Sequence, residues 1–210
     1  MEAFFERGHI LQALRQQLNG ELAGPTMFFD KPAITIRPVH PYDGLLLYEM
    51  HQRLSPNTIF YRYLRPYRPA LAEMEKVASL QGSDGMGFVA TQATVREEIL
   101  GVAYYVVDPD QAGTAEPAIL VADRFQGQGV GGRLFRCLSQ HALAHGIHRF
   151  EAVTHPANIA VMRLIERSGF PFKVELGYGE RIVHIQLNES AAPLGPSLGS
   201  CTLAPTVPAL

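Results

Sequence analysis

A glycine-rich turn between a hydrophobic strand and an amphipathic helix constrains this chain more than any other feature. Four of the six residues from 127 to 132 are glycine, and they follow the apolar run that ends at Val121. Glycine lets the backbone approach a ligand closely, and the first amide groups of the following helix have no partner within the helix. Such free N–H groups favour an anion, above all phosphate. The sequence therefore predicts a phosphate cradle here, although a plain strand-turn-helix corner also uses glycine.

The residues around these glycines exclude two common nucleotide-binding loops. A Walker loop needs Lys and Ser or Thr after its glycines, whereas Arg133 and Leu134 follow here. A dinucleotide fold needs its glycines after the first strand of an alternating unit, and this turn lies past the middle of the chain. The spacing Gln126-x-x-Gly129-x-Gly131 resembles instead the acyl-CoA pyrophosphate loop of the GNAT family of N-acetyltransferases.

A second segment, residues 158–170, strengthens this resemblance. Its apolar residues recur at helical spacing, and Gly169 stands where a left-handed cap would end a helix. In GNAT proteins the matching helix has an asparagine near its start and Gly-Phe at its end, as Asn158 and Phe170 provide here. The resemblance implies that Asn158 meets the pantetheine arm of the cofactor. An ordinary capped helix is the alternative interpretation.

The resemblance implies a site for acetyl-CoA that is built mainly from backbone groups. In the family, the strand before the loop splays from its neighbour and offers N–H groups to the pantetheine amides and the thioester oxygen. The loop then binds the pyrophosphate, and Arg133 either adds a charge-assisted contact to phosphate or points to water. The residues implied in cofactor binding are Ile119, Leu120, Val121, Gln126, Gly127, Gln128, Gly129, Val130, Gly131, Gly132, Arg133 and Asn158.

Residues 54–63, with the sequence Leu-Ser-Pro-Asn-Thr-Ile-Phe-Tyr-Arg-Tyr, narrow the subfamily. They resemble the Leu-Ser-Pro-x-Ser/Thr…Arg-Phe/Tyr segment in the acetyltransferase domain of bacterial Pat-type protein lysine acetyltransferases. Ser55 suits the N-cap of a helix, and Pro56 suits its first position. The resemblance implies that the amine acceptor is a protein lysine. A pair of packed aromatic helices with no function in binding is the alternative.

Glu116 is the residue that we expect to act as general base. Acetyl transfer from a thioester requires that the amine lose a proton and that the carbonyl be polarised. Residues 114–121 resemble the Ala-Glu-Phe-Ala-hydrophobic strand of the Pat group, in which the glutamate is the base. Pro117 replaces the phenylalanine of that pattern, and proline favours a bulge or a sheet edge. A surface carboxylate without function is the alternative, and the weaker candidates for the base are Glu97, Glu98 and Glu151.

The tyrosine that protonates the departing thiolate in many GNAT enzymes has no counterpart in this chain. The matching position lies four residues before Gly169 and is Ile165. Pat-type domains also tend to lack this tyrosine, so its absence agrees with the subfamily. Solvent or another tyrosine would then supply the proton.

The order of elements predicts an α/β (α+β) domain with the GNAT fold over residues 33–188. We expect a mixed, mostly antiparallel central sheet of about six to seven strands, with helices on both faces. Residues 1–32 are predicted to form a helix and a linker, which pack on this domain or on another subunit of a homodimer. Residues 189–210 are predicted to form a Pro-rich tail. The predicted strands are residues 33–38, 86–95, 99–107, 115–121, 149–154 and 181–187, and the predicted helices include residues 4–19, 41–53 and 69–79.

Composition limits the partners of this chain. With 210 residues, 47% of them hydrophobic, it can bury one sizeable core. A formal charge of −2 gives no electrostatic reason to expect nucleic acid, and no apolar run is long enough to span a bilayer, so we expect a cytoplasmic protein. Cys137, Cys201 and the pair His141 and His145 complete no metal-ligand set, so no metal is expected. The alternative functions are acetylation of a small-molecule amine and non-catalytic sensing of acyl-CoA.

Overall fold

The computed structural model of this protein describes residues 33–93, 97–177 and 179–188. The predicted amino-terminal helix and the Pro-rich tail lie outside the described residues. The strands are β1 (Ile34–Pro38), β2 (Gly85–Ala93), β3 (Glu97–Val107), β4 (Thr114–Val121), β5 (Arg149–Thr154), β6 (Phe172–Gly177) and β7 (Glu180–Gln186). The α-helices are α1 (Gly44–Gln52), α2 (Pro56–Tyr63), α3 (Leu71–Ala78), α4 (Val130–Ala144) and α5 (Ile159–Ser168), and short 3-10 turns occupy Pro41–Asp43 and Asp123–Phe125.

The seven strands form one sheet in the order β1-β2-β3-β4-β5-β7-β6. Neighbouring strands are antiparallel except for β4 and β5, which are parallel. The predicted mixed, mostly antiparallel sheet is therefore confirmed. Two details differ from the strand predictions: β6, an edge strand with every residue exposed, was not among them, and β3 begins at Glu97. Glu97 and Glu98 thus lie in a strand and not in the turn that their charge suggested.

Helices cover both faces of the sheet, and each face has its own hydrophobic core. Helices α4 and α5 pack on one face around Leu134, Leu138 and Ile165, all of them buried. Helices α1, α2 and α3 pack on the other face, where Leu47, Ile59 and other apolar residues meet strands β2 and β3. Among the helices that the structure describes, none has the length and apolar character needed to cross a membrane.

Candidate active site

Strand β4 is paired very differently along its two edges. On one edge, the seven residues 115–121 pair in register with β3. On the other edge, only Thr114 and Ala115 pair with β5, although β5 continues to Thr154. The two parallel strands therefore form a fork that opens after Ala115.

The backbone groups of β4 alternate between the closed edge and the fork. The Ala122 amide donates to the Leu100 carbonyl of β3 at 2.8 Å. This hydrogen bond shows that the even-numbered residues of β4 direct their backbone groups to β3. Because successive residues of a strand direct their N–H and C=O groups to opposite edges, Ile119 and Val121 face the fork. Leu120, which was also expected to bind the cofactor through its backbone, directs those groups to β3. The fork thus offers the backbone groups of alternate residues only.

Pro117 is one of the residues of β4 whose backbone groups face the fork. Its missing N–H therefore removes no hydrogen bond to β3, and the β3–β4 register passes Pro117 without a shift. Glu116 keeps its place opposite Val106 in that register. The proline that departs from the Pat pattern consequently leaves the position of Glu116 in the sheet unchanged.

Glu116 lies at the base of the fork, one residue after the last pair between β4 and β5. Side chains alternate along a strand, so Glu116 is on the same face as Leu120, which packs in the core beneath α1, α2 and α3. The Glu116 side chain is exposed and has no hydrogen-bond or ion-pair partner among the described residues. A carboxylate in this position is free to accept a proton from an amine that approaches on this face.

The other candidate bases are engaged in ion pairs. Glu151 of β5 lies 3.5 Å from Nη1 of Arg149, and Nδ1 of His184 lies 3.1 Å from the same carboxylate. Glu97 lies 3.2 Å from Arg37, and Glu98 contacts Arg124. These contacts leave Glu116 as the unpaired carboxylate among the four candidates.

The turn after β4 opens a concave backbone surface toward solvent. Gly127 and Gly129 have φ angles of +71° and +83°, which side chains rarely permit. No atom lies within 4 Å of the place where a β-carbon would stand at either glycine, so the space above both is open. Helix α4 begins at Val130, directly after Gly129, and its first amide groups have no helical partner. This is the geometry of an anion site at a helix N-terminus, and the assignment of these residues to a cofactor stays a prediction.

Two polar side chains of this turn bind within the protein. Gln128 donates to the Arg124 carbonyl at 2.7 Å, which closes the turn on itself. Arg133 donates to the Ile34 carbonyl of β1 at 2.9 Å, a use that differs from both of its expected orientations. These side chains shape the loop, so the backbone is the main source of donors for a phosphate.

Asp123 fastens helix α2 to this loop. Its carboxylate accepts hydrogen bonds from the Ser55 amide at 2.9 Å, the Ser55 hydroxyl at 2.7 Å and the Thr58 hydroxyl at 2.7 Å. Gln126 donates to the Thr58 hydroxyl oxygen at 3.2 Å and to the Val121 carbonyl at 3.0 Å. Desolvation acts to raise the pKa of Asp123, but the hydrogen bonds from Thr58 and Ser55 outweigh it and hold that pKa below its usual value.

Helix α2 also contacts the segment that follows β5. The rings of Phe60 and Tyr61 lie 5.3 Å and 6.0 Å from the ring of His155, measured between centroids. His155 in turn accepts a hydrogen bond from the Ala157 amide at 3.1 Å. The two prongs of the fork are the separated ends of β4 and β5. Helix α2 therefore contacts both prongs, at Asp123 after β4 and at His155 after β5.

A small pocket lies between α2, α3 and the face of the sheet that carries Glu116. Arg62 donates to the Tyr104 hydroxyl at 2.5 Å and lies 4.9 Å from the centre of the Tyr63 ring. Burial raises the pKa of Tyr63 to about 12 and lowers the pKa of His51, so both are neutral near pH 7. Of the described residues, Arg62 is the only Arg, Lys, Asp or Glu in the lining. The lining residues are His51, Arg62, Tyr63, Met74, Val77, Val102, Tyr104, Ile119 and Leu120.

The predicted asparagine helix is α5. Asn158 is its N-cap and accepts a hydrogen bond from the Val161 amide at 3.2 Å, while Gly169 ends the helix with a φ of +76°. Ile165, at the position of the usual tyrosine acid, is 2% exposed and belongs to the core. Within the described ranges, no three metal-ligating side chains come together.

A fork between parallel strands, followed by a glycine turn at a helix N-terminus, is the arrangement expected of an acyl-CoA-dependent acyltransferase domain. Residues 47–170, more than half of the chain, match the family described as Acetyltransferase (GNAT) family. The protein belongs to this family of N-acetyltransferases.

Its relatives include Pat-type proteins. Acetyltransferase Pat of Mycolicibacterium smegmatis is 28% identical over 134 residues, which are 64% of this chain and 40% of that protein. Acetyltransferase PA5475 of Pseudomonas aeruginosa is 27% identical over 155 residues, 72% of this chain and 82% of that protein. The crystal structure of the GNAT domain of S. lividans PAT has a TM-score of 0.64 at 25% identity and covers 72% of this chain and 89% of that chain. The resemblance to Pat acetyltransferase domains is thereby confirmed, and the chain spans less than half the length of the Mycolicibacterium protein.

Proposed function

We propose that this protein transfers the acetyl group of acetyl-CoA to a protein lysine ε-amine, with Glu116 as general base. The observation that carries the proposal is the unpaired carboxylate of Glu116 at the base of the fork between β4 and β5. The family to which the chain belongs supports acetyl-CoA as the donor. Acetyl-CoA supplies the activated thioester and the acetyl group.

The residues of the fork divide the chemistry among them. The fork-facing N–H groups of Ile119 and Val121 can hydrogen-bond the cofactor and polarise the thioester carbonyl as negative charge develops on its oxygen. The turn at Gly127 and Gly129 holds the pyrophosphate through backbone amides. Glu116 takes the proton of the attacking ammonium, directly or through a water molecule. Because the core isoleucine Ile165 replaces the usual tyrosine, solvent or another tyrosine returns a proton to the thiolate.

The pocket between α2, α3 and the sheet supports a peptide acceptor over a polyamine. Among the described residues, Arg62 is the only Arg, Lys, Asp or Glu in the lining of this pocket. No carboxylate of the described residues lies within ion-pair distance of Arg62. A polyamine would bring further positive charges to this surface, where Arg62 would repel them. A lysine side chain brings one charge, and its peptide carbonyls can accept hydrogen bonds. The likeness to Pat domains supports the same acceptor class.

The decisive experiment compares the wild-type protein with Glu116→Gln. Calorimetric titration should show saturable binding of acetyl-CoA to both proteins, and no binding of ATP. Amine-dependent release of free CoA, measured with a lysine peptide, should fall on the order of 10²-fold in the variant, as expected for loss of a general base. Glu180→Gln, an exposed carboxylate of β7, is the matched control and should keep wild-type turnover.

The possible results separate the parts of the proposal. Unchanged turnover in Glu116→Gln removes Glu116 as the base. Turnover with spermidine but not with the lysine peptide replaces the protein acceptor by a small amine. Binding of acetyl-CoA without turnover on any amine favours a sensor, and no binding at all removes the proposed function.

A further inference from the structure

We propose that helix α2 is a brace across the open end of the fork, and that Asp123 and Thr58 position the glycine loop for the pyrophosphate of acetyl-CoA. The inference rests on the proposed use of acetyl-CoA. It gives a positioning role to two side chains that bind each other, and it leaves the direct phosphate contacts to the backbone of the loop. It also assigns a purpose to the Leu-Ser-Pro-x-Thr segment.

The glycine loop is held in shape mainly from its ends. Gly127 and Gly129 have open space around them, so packing at these two positions restrains the loop little. Apart from the hydrogen bond between Gln128 and the Arg124 carbonyl, the loop is fixed at its ends, by α4 on one side and by Asp123 and Gln126 on the other. Thr58 serves both of these residues, since its hydroxyl donates to Asp123 and accepts from Gln126. One hydroxyl of α2 thus holds both residues at the entry to the loop.

The hydrogen bonds between Asp123 and the start of α2 form a strong anchor. Three donors of α2 converge on the Asp123 carboxylate at 2.7 to 2.9 Å. Hydrogen bonds to an ionised acceptor are about twice as strong as those between neutral groups. Ser55 also caps α2 by accepting from the Thr58 amide at 3.2 Å, so the residues that bind Asp123 are themselves ordered. The anchor is therefore rigid on the side of α2.

Helix α2 also contacts the opposite prong, at the end of β5. Phe60 and Tyr61 follow Thr58 by less than one helical turn and pack on His155 after β5. Since α2 contacts both prongs, a displacement of α2 moves the loop relative to the end of β5. Held at both prongs, α2 keeps the glycine loop in place before the cofactor binds, which lowers the ordering cost of binding the pyrophosphate.

The test uses two nearly isosteric variants. Thr58→Val removes the hydroxyl that links Asp123 to Gln126, and Asp123→Asn removes the charge while it keeps the size of the side chain. Each should raise the Kd for acetyl-CoA about 10-fold, the size expected for lost hydrogen bonds to a charged group. Because both changes break one network, the double variant should lose little more affinity than the weaker-binding single variant. Thr58→Ser keeps the hydroxyl and should restore affinity.

Controls and kinetic readouts separate positioning from general damage. Thr35→Val on β1 and Asp110→Asn before β4 change exposed residues of the same types and should keep wild-type affinity. In the network variants, kcat at saturating acetyl-CoA should stay within about 3-fold of the wild type, so that the change lies in the KM for acetyl-CoA. Acetyl-pantetheine, which lacks the pyrophosphate, should show the same kcat/KM with the variants and the wild type.

Several outcomes would overturn the inference. Wild-type affinity for acetyl-CoA in Thr58→Val and Asp123→Asn would overturn this inference and leave the proposed function intact. Additive losses of affinity in the double variant would do the same. An equal loss with acetyl-pantetheine would show that the network supports the fold and not the pyrophosphate loop. Failure of the unmodified protein to bind acetyl-CoA would overturn the proposed function, and this inference with it.

Discussion

The two edges of β4 carry the same kind of backbone and serve opposite purposes. Along the edge that meets β3, seven consecutive residues are paired, and their hydrogen bonds stabilise the sheet. Along the edge that meets β5, pairing stops after Ala115, and the remaining groups face an open fork. The difference shows that a single strand can divide stability and binding between alternate residues. Substitutions on the two sides should therefore have separable effects.

The largest effect is expected beside the open edge. Gly129→Glu should reduce affinity for acetyl-CoA by more than about 100-fold, because a negative charge would enter the space intended for pyrophosphate. Gly146→Glu is a matched control, since Gly146 has a φ of +79° and equally open space but lies after α4, at its far end. Both variants carry similar backbone strain and the same added charge, so calorimetric titration compares the two locations of that charge. Equal affinities in the two variants would contradict the assignment of the loop.

A smaller effect of a different kind is expected at the closed edge. A β-carbon at Gly101 of β3 would stand 2.9 Å from the Leu120 carbonyl oxygen and 3.2 Å from Cδ1 of Leu134. Gly101→Ala should therefore lower the free energy of unfolding by about 2 kcal/mol, the usual size for overpacking, as measured by urea denaturation. Gly177→Ala in β6 meets open space and is the control. A variant of Gly101 with wild-type stability but no acetyl-CoA binding would break the proposed division between the edges.

The smallest effect is expected in the pH dependence of stability, and it comes from His141 of helix α4, which packs against β3. Desolvation, followed by the charge of His145, lowers the pKa of His141 to about 4, and its Nδ1 lies 3.0 Å from the Tyr105 hydroxyl of β3. Between the usual pKa of 6.5 and about 4, the unfolded chain binds a proton at His141 that the folded chain does not. Stability should therefore decline as pH falls through this window.

His141→Gln should reduce this decline, as measured by the difference in Tm between pH 7 and pH 5. His148→Gln changes an exposed histidine and should leave the decline as it is in the wild type. His51, whose pKa is also lowered, contributes in the same direction, so part of the decline should remain. An identical pH dependence in His141→Gln and the wild type would exclude His141 as a source.

Local patterns were sufficient to predict the glycine loop, helix α5 with its Gly169 cap and every strand of the sheet except β6. Each depends on residues close in sequence, such as glycines before an amphipathic run. The contacts of Asp123 could not be predicted in this way, because Thr58 lies 65 residues earlier and only the fold brings the two together. The effect of Pro117 on the β3–β4 register could not be predicted from the sequence either, since it depends on which edge of β4 its missing N–H faces.

The alternation along β4 has a consequence for hydrogen exchange. The amides of Ala118 and Leu120 are bonded to β3, so their exchange with solvent deuterium requires opening of the sheet. The amides of Ile119 and Val121 face the fork, so a bound molecule determines how well they are protected. Neighbouring positions of one strand should then report two different events. Exchange rates read residue by residue from 118 to 121 would follow occupancy of the fork and breathing of the sheet in the same sample.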